Sequence, residues 1–271
     1  MKEKISVTVI IPCYRCNKTI KRAIDSVLSQ TVLPNEIFII DDNIDKRETI
    51  ELFDILVKNY GKEDIVMICN IKNKGAPFSR NLGWYLAKSD YVAFLDSDDA
   101  WHPQKLELQY TFMKKNSEII LTGHDIEIIK NKKIETHLKY NSISSIECLK
   151  RDILLRNIFP TPTLMIKRDI NYRFDETMRY VDDHLLLMNI ILDGNKAVKI
   201  KNKLAYVFKP MFGASGLSSN MYQMEKHELL AYTKIFKANK INILTYTFLI
   251  IFSLVKYVRR LILLKINSRQ C

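Results

Sequence analysis

Three carboxylates, Asp96, Asp98 and Asp99, stand within four positions at the end of the apolar run Tyr91-Val-Ala-Phe-Leu95. Crowded acids repel, and each resists ionising unless a cation joins them. Hard oxygen ligands beside room for a polyphosphate suit Mg²⁺ or Mn²⁺, which usually take one or two carboxylates plus phosphate oxygens. A solvated turn or a helix cap would also use Asp and Ser. A helix predicted to begin at Pro103, a good first-turn residue, leaves three acids surplus to capping, so a metal–nucleotide site is the stronger reading. Two further acid pairs follow apolar or precede helical segments. Asp41-Asp42 closes the run Glu36-Ile-Phe-Ile-Ile40, and Asp182-Asp183 opens a helical stretch that stops at Gly194. On charge alone the last pair reads as a complement to a helix dipole.

The elements around these acids set their positions. Five apolar residues in a row before Asp96 read as a strand buried on both faces, as in a parallel sheet. Val7–Ile11, Glu36–Ile40 and Ile65–Cys69 read as three earlier strands. Between them lie predicted helices from an Asn17 N-cap to about Gln30, from Lys46 to Tyr60 with Gly61 as its stop, and from Asn73-Lys-Gly75 to about Lys88. Four strand–helix alternations in about a hundred residues make an α/β fold with a mostly parallel sheet flanked by helices. Acids at two strand ends then share the carboxyl edge, where open α/β sheets bind ligands. Beyond Asn116 the pattern predicts a hairpin of 119–129 with 133–138, a helix over 145–157 and a short strand at 163–166.

Composition narrows the function. The 271 residues are 47% hydrophobic and 27% charged, as in a globular protein with a sizeable core. No G-x-G-x-x-G or P-loop is present, which removes the common dinucleotide and mononucleotide phosphate cradles. Five scattered cysteines include one C-x-x-C, Cys13 and Cys16, with no second pair for zinc. They read as reduced thiols of a cytoplasmic protein, and no signal peptide precedes the first strand. The five histidines lack ligand-like spacing.

The motifs Val9-Ile-Ile-Pro-Cys-Tyr14, Ser26-Val-Leu-Ser-Gln30, Glu36 through Asp42, Asn73-Lys-Gly75 with Ser79-Arg-Asn-Leu-Gly83, Phe94 through Glu107, and Val181-Asp-Asp183 together resemble the family 2 glycosyltransferases. The resemblance spans about residues 5–195 in the family's order and implies a GT-A-type fold. It implies an inverting, hexosyltransferase-type enzyme that uses a nucleotide-sugar donor, most readily a UDP-sugar, with Mn²⁺ or Mg²⁺. By position, Pro12 and Tyr14 resemble the loop that packs on the nucleotide base, and Asp42 the acid that contacts it. Arg80 and Asn81 fall where the family lines the donor site. Asp96 and Asp98 match its D-x-D motif, with Asp98 on the ribose or, together with Asp99, on the metal. Asp183 matches the general base. Asp182 replaces the usual Glu, Arg15-Cys16 follows the Tyr where Asn is usual, and Asn43-Ile44 stands where Gly-Ser is usual. The implied role is assembly of bacterial surface polysaccharide, such as lipopolysaccharide, O-antigen or capsule, on a glycan or lipid-linked acceptor.

This assignment predicts a catalytic domain over 1–215, with 1–115 as its nucleotide-binding half and 116–215 as its acceptor-side half, then a C-terminal helical extension over 216–271. From Lys196 onward there are fourteen Lys and Arg against only Glu225 and Glu228, which accounts for the whole net charge of +12. Residues 241–255 carry no charge and are followed by Lys256, Arg259, Arg260 and Lys265. A cationic, apolar helix too short to span a bilayer suits peripheral attachment to the cytoplasmic face of the bacterial inner membrane. Two other readings remain. A nucleotidyltransferase or sugar-nucleotide pyrophosphorylase would want a Gly-rich basic loop after the first strand, where Cys13–Asn17 has no glycine. A nucleic-acid-binding module would use Tyr232, Phe236, Tyr246 and Phe248 among the basic residues, but their helical spacing favours a core or membrane-facing role, so no nucleic-acid partner is expected.

Overall fold

The computed structural model describes residues 2–129, 140, 142–208 and 220–267. Its first half alternates as the apolar runs require. Strands β1 (Lys4–Cys13), β2 (Leu33–Asp41), β3 (Ile65–Cys69) and β4 (Tyr91–Phe94) lie parallel in the order β3-β2-β1-β4. Helices α1 (Ile20–Leu28), α2 (Lys46–Tyr60) and α3 (Ala76–Leu86) connect them. Alternate residues of the inner strands enter two cores. Ile10, Phe38, Ile40 and Phe94 face one, and Val9, Ile11, Ile37, Ile39 and Ala93 face the other. Burial on both faces is why these strands read as continuous apolar runs. Helix α3 lies close on β1 because Gly83 has no side chain, and a Cβ there would stand 2.7 Å from Ile10 Cγ2. Gly75 starts the helix at φ 87°, a left-handed conformation that glycine adopts without strain.

The second half is mixed. Strand β5 (Ala100–Trp101) and α4 (Lys105–Lys115) lead into β6 (Ile119–Ile128). Then come β7 (Ser145–Glu147), α5 (Lys150–Leu155), a 3₁₀ turn at Thr161–Thr163, β8 (Met165–Lys167), α6 (Asp182–Leu192) and β9 (Lys196–Val207). Strand β8 runs antiparallel between β4 and β6. Strand β9 runs parallel to β6 and antiparallel to β5 and β7. The sheet is thus the flanked α/β sheet expected, all parallel in the first half and mixed in the second, where β6 and β9 are parallel.

Several local expectations are corrected. Asn17 does not cap α1, which starts at Ile20. Its amide instead donates to the Glu48 carbonyl and to the Glu48 and Glu51 carboxylates, tying the loop to α2. Residues 145–157 are not one helix, because Ser145–Glu147 completes the edge of β9 and only Lys150–Leu155 coils. Strand β6 pairs with β8 and β9, while the proposed hairpin partner at 133–138 lies outside the described residues. The chain turns through Arg15 at φ 51° and brings the Cα atoms of Cys13 and Cys16 to 5.5 Å, within disulfide reach.

Of the C-terminal helices, α7 (Met221–Lys237) packs on α6 and α8 (Ile243–Asn267) packs on α7. Ala231, Tyr232, Ile235 and Leu249 join the core that holds Leu185 and Leu186 of α6. Phe236 and Tyr246 stack on each other at 4.6 Å, so three of the four tail aromatics are used inside the protein. Along α8, Leu249, Ser253, Lys256 and Arg260 follow helical spacing on the inner face. Leu244, Phe248, Ile251, Val255, Val258 and Ile262 form an exposed apolar stripe on the other. Among the described residues no helix is long and apolar enough to cross a membrane.

Candidate active site

The Asp96–Asp99 segment is a tight turn, closed by the Asp99 amide donating to the Asp96 carbonyl at 3.0 Å. It is anchored on both sides. Ahead of it β4 is central to the sheet. After it, Ala100–Trp101 pairs with Ala205–Tyr206, and the His102 amide donates to the Leu204 carbonyl. Gln30 ties the next residues to α1. Its amide nitrogen donates to the His102 carbonyl at 2.8 Å, and its oxygen accepts from the Leu106 amide at 2.9 Å. Arg22 of α1, its guanidinium 3.5 Å above the Phe208 ring, donates to the Asp98 carbonyl.

Opposite this turn, α6 begins at Val181, a β-branched residue at φ 61°. Such backbone is strained for valine and persists only where its surroundings over-determine it. It delivers Asp182 and Asp183 to the same cavity as Asp96 and Asp99, a cleft of about 460 Å³. The Asp183 carboxylate is oriented by three donors. Oδ1 accepts from the His184 amide at 2.7 Å, and Oδ2 from Asn157 Nδ2 at 2.9 Å and Thr161 Oγ1 at 3.2 Å. A carboxylate has about four acceptor sites, so Oδ1 keeps room for one more donor.

Arg80 couples the two halves. Its side chain is nearly buried and donates to Asp182 Oδ2 at 2.8 Å and Asp96 Oδ1 at 3.0 Å. Burial works against the guanidinium charge, but Asp182 and Asp96 outweigh it and hold Arg80 above its ordinary value. The carboxylates nevertheless lose more by burial than one shared arginine returns. Desolvation raises Asp96 and pushes Asp182 up to about 7. Asp99 is pushed up to about 8, first by burial and then by the Asp96 and Asp98 charges. A buried acid short of positive charge is what a divalent cation would satisfy, so the residues fit a metal whose remaining ligands come from a bound phosphate.

The remaining sequence-predicted residues sit around the strand ends. Pro12 pairs with Ile40 near the end of β1, and Tyr14 is half exposed in a second hollow of about 270 Å³ shared with Asn43 and Glu48. Asp42 is buried and holds the loop after β3, accepting from Asn70 Nδ2 (2.8 Å), the Lys74 amide (2.9 Å) and the Gly75 amide (2.8 Å). Asn81 is engaged with the loop before α6, donating to the Phe174 carbonyl at 2.8 Å and accepting from its amide at 3.0 Å. Arg80, Asn81 and Asp98 do not line the larger cavity. Sequence reasoning missed Arg22, Asn157 and Thr161. Each lies in a loop or on a helix face where no spacing rule marks a residue that orients another. It also missed the cavity wall made by Met224 and Glu228 of α7 and Lys256 and Arg260 of α8.

Comparison with known proteins bears on this site. The sequence model of the family described as "Glycosyl transferase family 2" matches residues 8–175. The Escherichia coli protein named UDP-Glc:alpha-D-GlcNAc-diphosphoundecaprenol beta-1,3-glucosyltransferase WfgD is 28% identical over 231 residues, covering 82% of this chain and 83% of that protein. Among solved structures, S. aureus TarS 1-349 in complex with UDP-GlcNAc superimposes with a TM-score of 0.65 at 19% identity, covering 89% of this chain and 69% of that one. The mannosyltransferase PcManGT of Pyrobaculum calidifontis, in complex with GDP-Man and Mn²⁺, gives a TM-score of 0.64 at 14% identity, covering 86% and 65%.

Proposed function

This chain belongs to glycosyl transferase family 2 and is a glycosyltransferase, and from that membership we propose that it moves a sugar, with inversion, from a UDP-sugar to a lipid-linked glycan acceptor in bacterial surface-polysaccharide synthesis. The observation that carries this reading is the meeting of Asp183 with the Asp96–Asp99 turn in one cavity. Two carboxylate groups on facing walls allow an acceptor hydroxyl to enter from the side opposite the donor's leaving diphosphate. Asp183 accepts the hydroxyl proton at the open site on Oδ1 while the hydroxyl oxygen bonds to the anomeric carbon and the bond to the diphosphate oxygen breaks. One displacement inverts the anomeric centre. Asn157, Thr161 and the His184 amide keep the Asp183 carboxylate from rotating during this step. Asp98 and Asp99 are the residues that would hold Mg²⁺ or Mn²⁺, which supplies neutralisation of the leaving diphosphate.

On the donor side, Pro12 and Tyr14 frame the base, with Asp42 shaping its pocket through the Asn73–Gly75 loop. Three of the four acceptor sites on Asp42 are filled, which leaves one for a base N–H. Asp96 and Asp98 face the ribose and phosphates. Arg80 positions Asp96 and Asp182, and Asn81 acts on the donor site through the 174–176 loop. Support for a UDP-sugar comes from WfgD and TarS by their names, and for a divalent metal from PcManGT. The apolar stripe of α8 beside Arg259, exposed to solvent, supports peripheral seating on an anionic leaflet at the cytoplasmic face of the inner membrane. A panel of nucleotide sugars incubated with the protein tests the donor assignment. Release of UDP from one UDP-sugar, dependent on Mg²⁺ or Mn²⁺ and abolished by EDTA, is the expected result, and no turnover of any nucleotide sugar with either metal would overturn it.

A further inference from the structure

The cavity that holds Asp183 is lined by two chemically different sets of residues. One is Asp96, Asp99, Asp182 and Asp183, and the other is Arg156, Arg179, Lys256 and Arg260. These four cations come from three separate parts of the chain. Arg156 follows the last turn of α5, Arg179 sits in the loop before α6, and Lys256 and Arg260 stand one turn apart on α8. Convergence of that kind costs charge repulsion, which a bound anion would relieve.

Local carboxylates account for only part of this charge. Lys256 is paired with Glu228 at 2.6 Å, and Arg260 interacts within the protein. Arg156 and Arg179 are exposed and make no ion pair among the described residues. The same cavity is also lined by the apolar side chains of Leu155, Pro160, Pro162 and Met224. The wall is also fixed in place. Lys256 donates to the Leu155 carbonyl, and Tyr232 joins the Leu154 carbonyl to Glu228, so α7 and α8 are bolted to the segment that carries Arg156.

We infer that this arginine rim binds a phosphate group of the acceptor, so that the enzyme selects an acceptor sugar already carried on a phosphate. The inference rests on the glycosyltransferase reading of the cavity and adds the acceptor's anionic link to it. The acceptor hydroxyl reaches Asp183, while guanidinium groups, whose fork geometry matches phosphate oxygens, take the anion. A diphosphate linked to a lipid is the source the apolar wall favours, and a polyol-phosphate polymer presents the same group without the hydrocarbon.

The test is titration calorimetry on the full chain saturated with UDP and Mg²⁺, so that the donor's diphosphate position is filled. Geranyl diphosphate, geraniol and a ribitol-phosphate oligomer are the ligands. Geranyl diphosphate is expected to bind and geraniol not to, and the double variant Arg156→Gln, Arg179→Gln should bind the diphosphate about ten-fold or more weakly. Retained UDP affinity in the variant shows that its fold is intact. Binding of the oligomer with the same arginine dependence supports the phosphate site and assigns its source to a polymer. If neither phosphate ligand binds, or if binding survives the double substitution, the inference is overturned. Failure of the wild-type protein to bind UDP at all would instead count against the donor reading.

Discussion

Replacing Arg80 by Met tests whether one buried cation holds the two halves of the site together. The substitution keeps much of the side chain's volume but leaves Asp96 and Asp182 facing each other without a partner. Removing one side of a buried pair costs about 3–5 kcal/mol. Asp182 is nearly buried, whereas a third of the Asp96 side chain remains open to solvent, so the lower end of that range is the better figure. For a chain of this size about 3 kcal/mol lowers Tm by roughly 6–12 °C. The loss has a pH signature. Asp182 titrates at about 7 in the folded protein, raised first by burial, whereas an unfolded Asp titrates near about 3.9. Between those values the native state holds a proton that the unfolded chain has released, so in the wild type this group's penalty accumulates from about pH 4 and is complete above about 7, where only a further rise in its pKa extends it. Without Arg80 both acids rise further. The Tm difference from wild type should therefore be smallest near pH 5 and grow toward pH 8, by at most about 1.4 kcal/mol per pH unit for each proton. Adding Asp182→Asn to the variant should recover part of the loss, and Arg80→Lys should not, because one ammonium cannot reproduce the fork. Thermal unfolding followed by circular dichroism across that range is the assay. A drop under about 2 °C with no pH dependence would refute the clamp.

Asp98→Asn and Asp99→Asn should each abolish sugar transfer while leaving Tm unchanged or slightly higher, since each removes a repelling acid. Full activity of both variants in EDTA would sink the metal role. Asp183→Asn should lower kcat by about 10²–10⁴ with nucleotide-sugar affinity nearly unchanged, and a parallel collapse in donor binding would move Asp183 to the donor site. Phe248→Ser, Ile251→Ser and Val255→Ser together should abolish salt-sensitive co-sedimentation with anionic vesicles without lowering Tm. Failure of the wild-type chain to sediment with such vesicles would remove the membrane claim.

The first half of the fold and the acid cluster after β4 were legible because their residues obey local rules. Lys46–Tyr60 was bounded to the residue by its apolar spacing and by Gly61, and Ile65–Cys69 by a short apolar run. The acids stood out because three in four positions at a strand end exceed what capping uses. The second half obeys no such rule. Strand β9 drew notice only for its lysines, although Ala197, Val198, Ile200, Leu204 and Ala205 are buried. A bulged register against β6 breaks the alternation that would have marked it. Ser145–Glu147 is exposed and pairs only because β9 offers an edge, a tertiary cause invisible to a local window. Asp182 looked like a dipole complement because its partner, Arg80, lies 102 residues away.

The C-terminal helices illustrate how charge on a sequence can mislead about where a segment belongs. The excess of lysine and arginine after Lys196 suggested an appendage facing an external anion. The structure divides that charge by helix face. On the inner face Lys256 meets Glu228, the Glu228 carboxyl is held below its ordinary range by that lysine despite the opposing effect of burial, and Ser253 donates to Glu225 at 2.8 Å. Tyr232 carries the same network to the chain around Leu154, and His184, next to Asp183, meets the Tyr232 ring edge-on at 6.5 Å. Helices tied this way to the residue beside the proposed base form part of the wall of the cavity that holds Asp183. Cutting the chain at Lys240 would remove Leu249 from the core, leave Glu228 without its lysine and open the wall that carries Lys256 and Arg260. A truncated protein that lost both activity and vesicle binding could not distinguish an anchor from a wall. Substitutions confined to the outer stripe can, because Phe248, Ile251 and Val255 are each more than half exposed and contribute little to the interior.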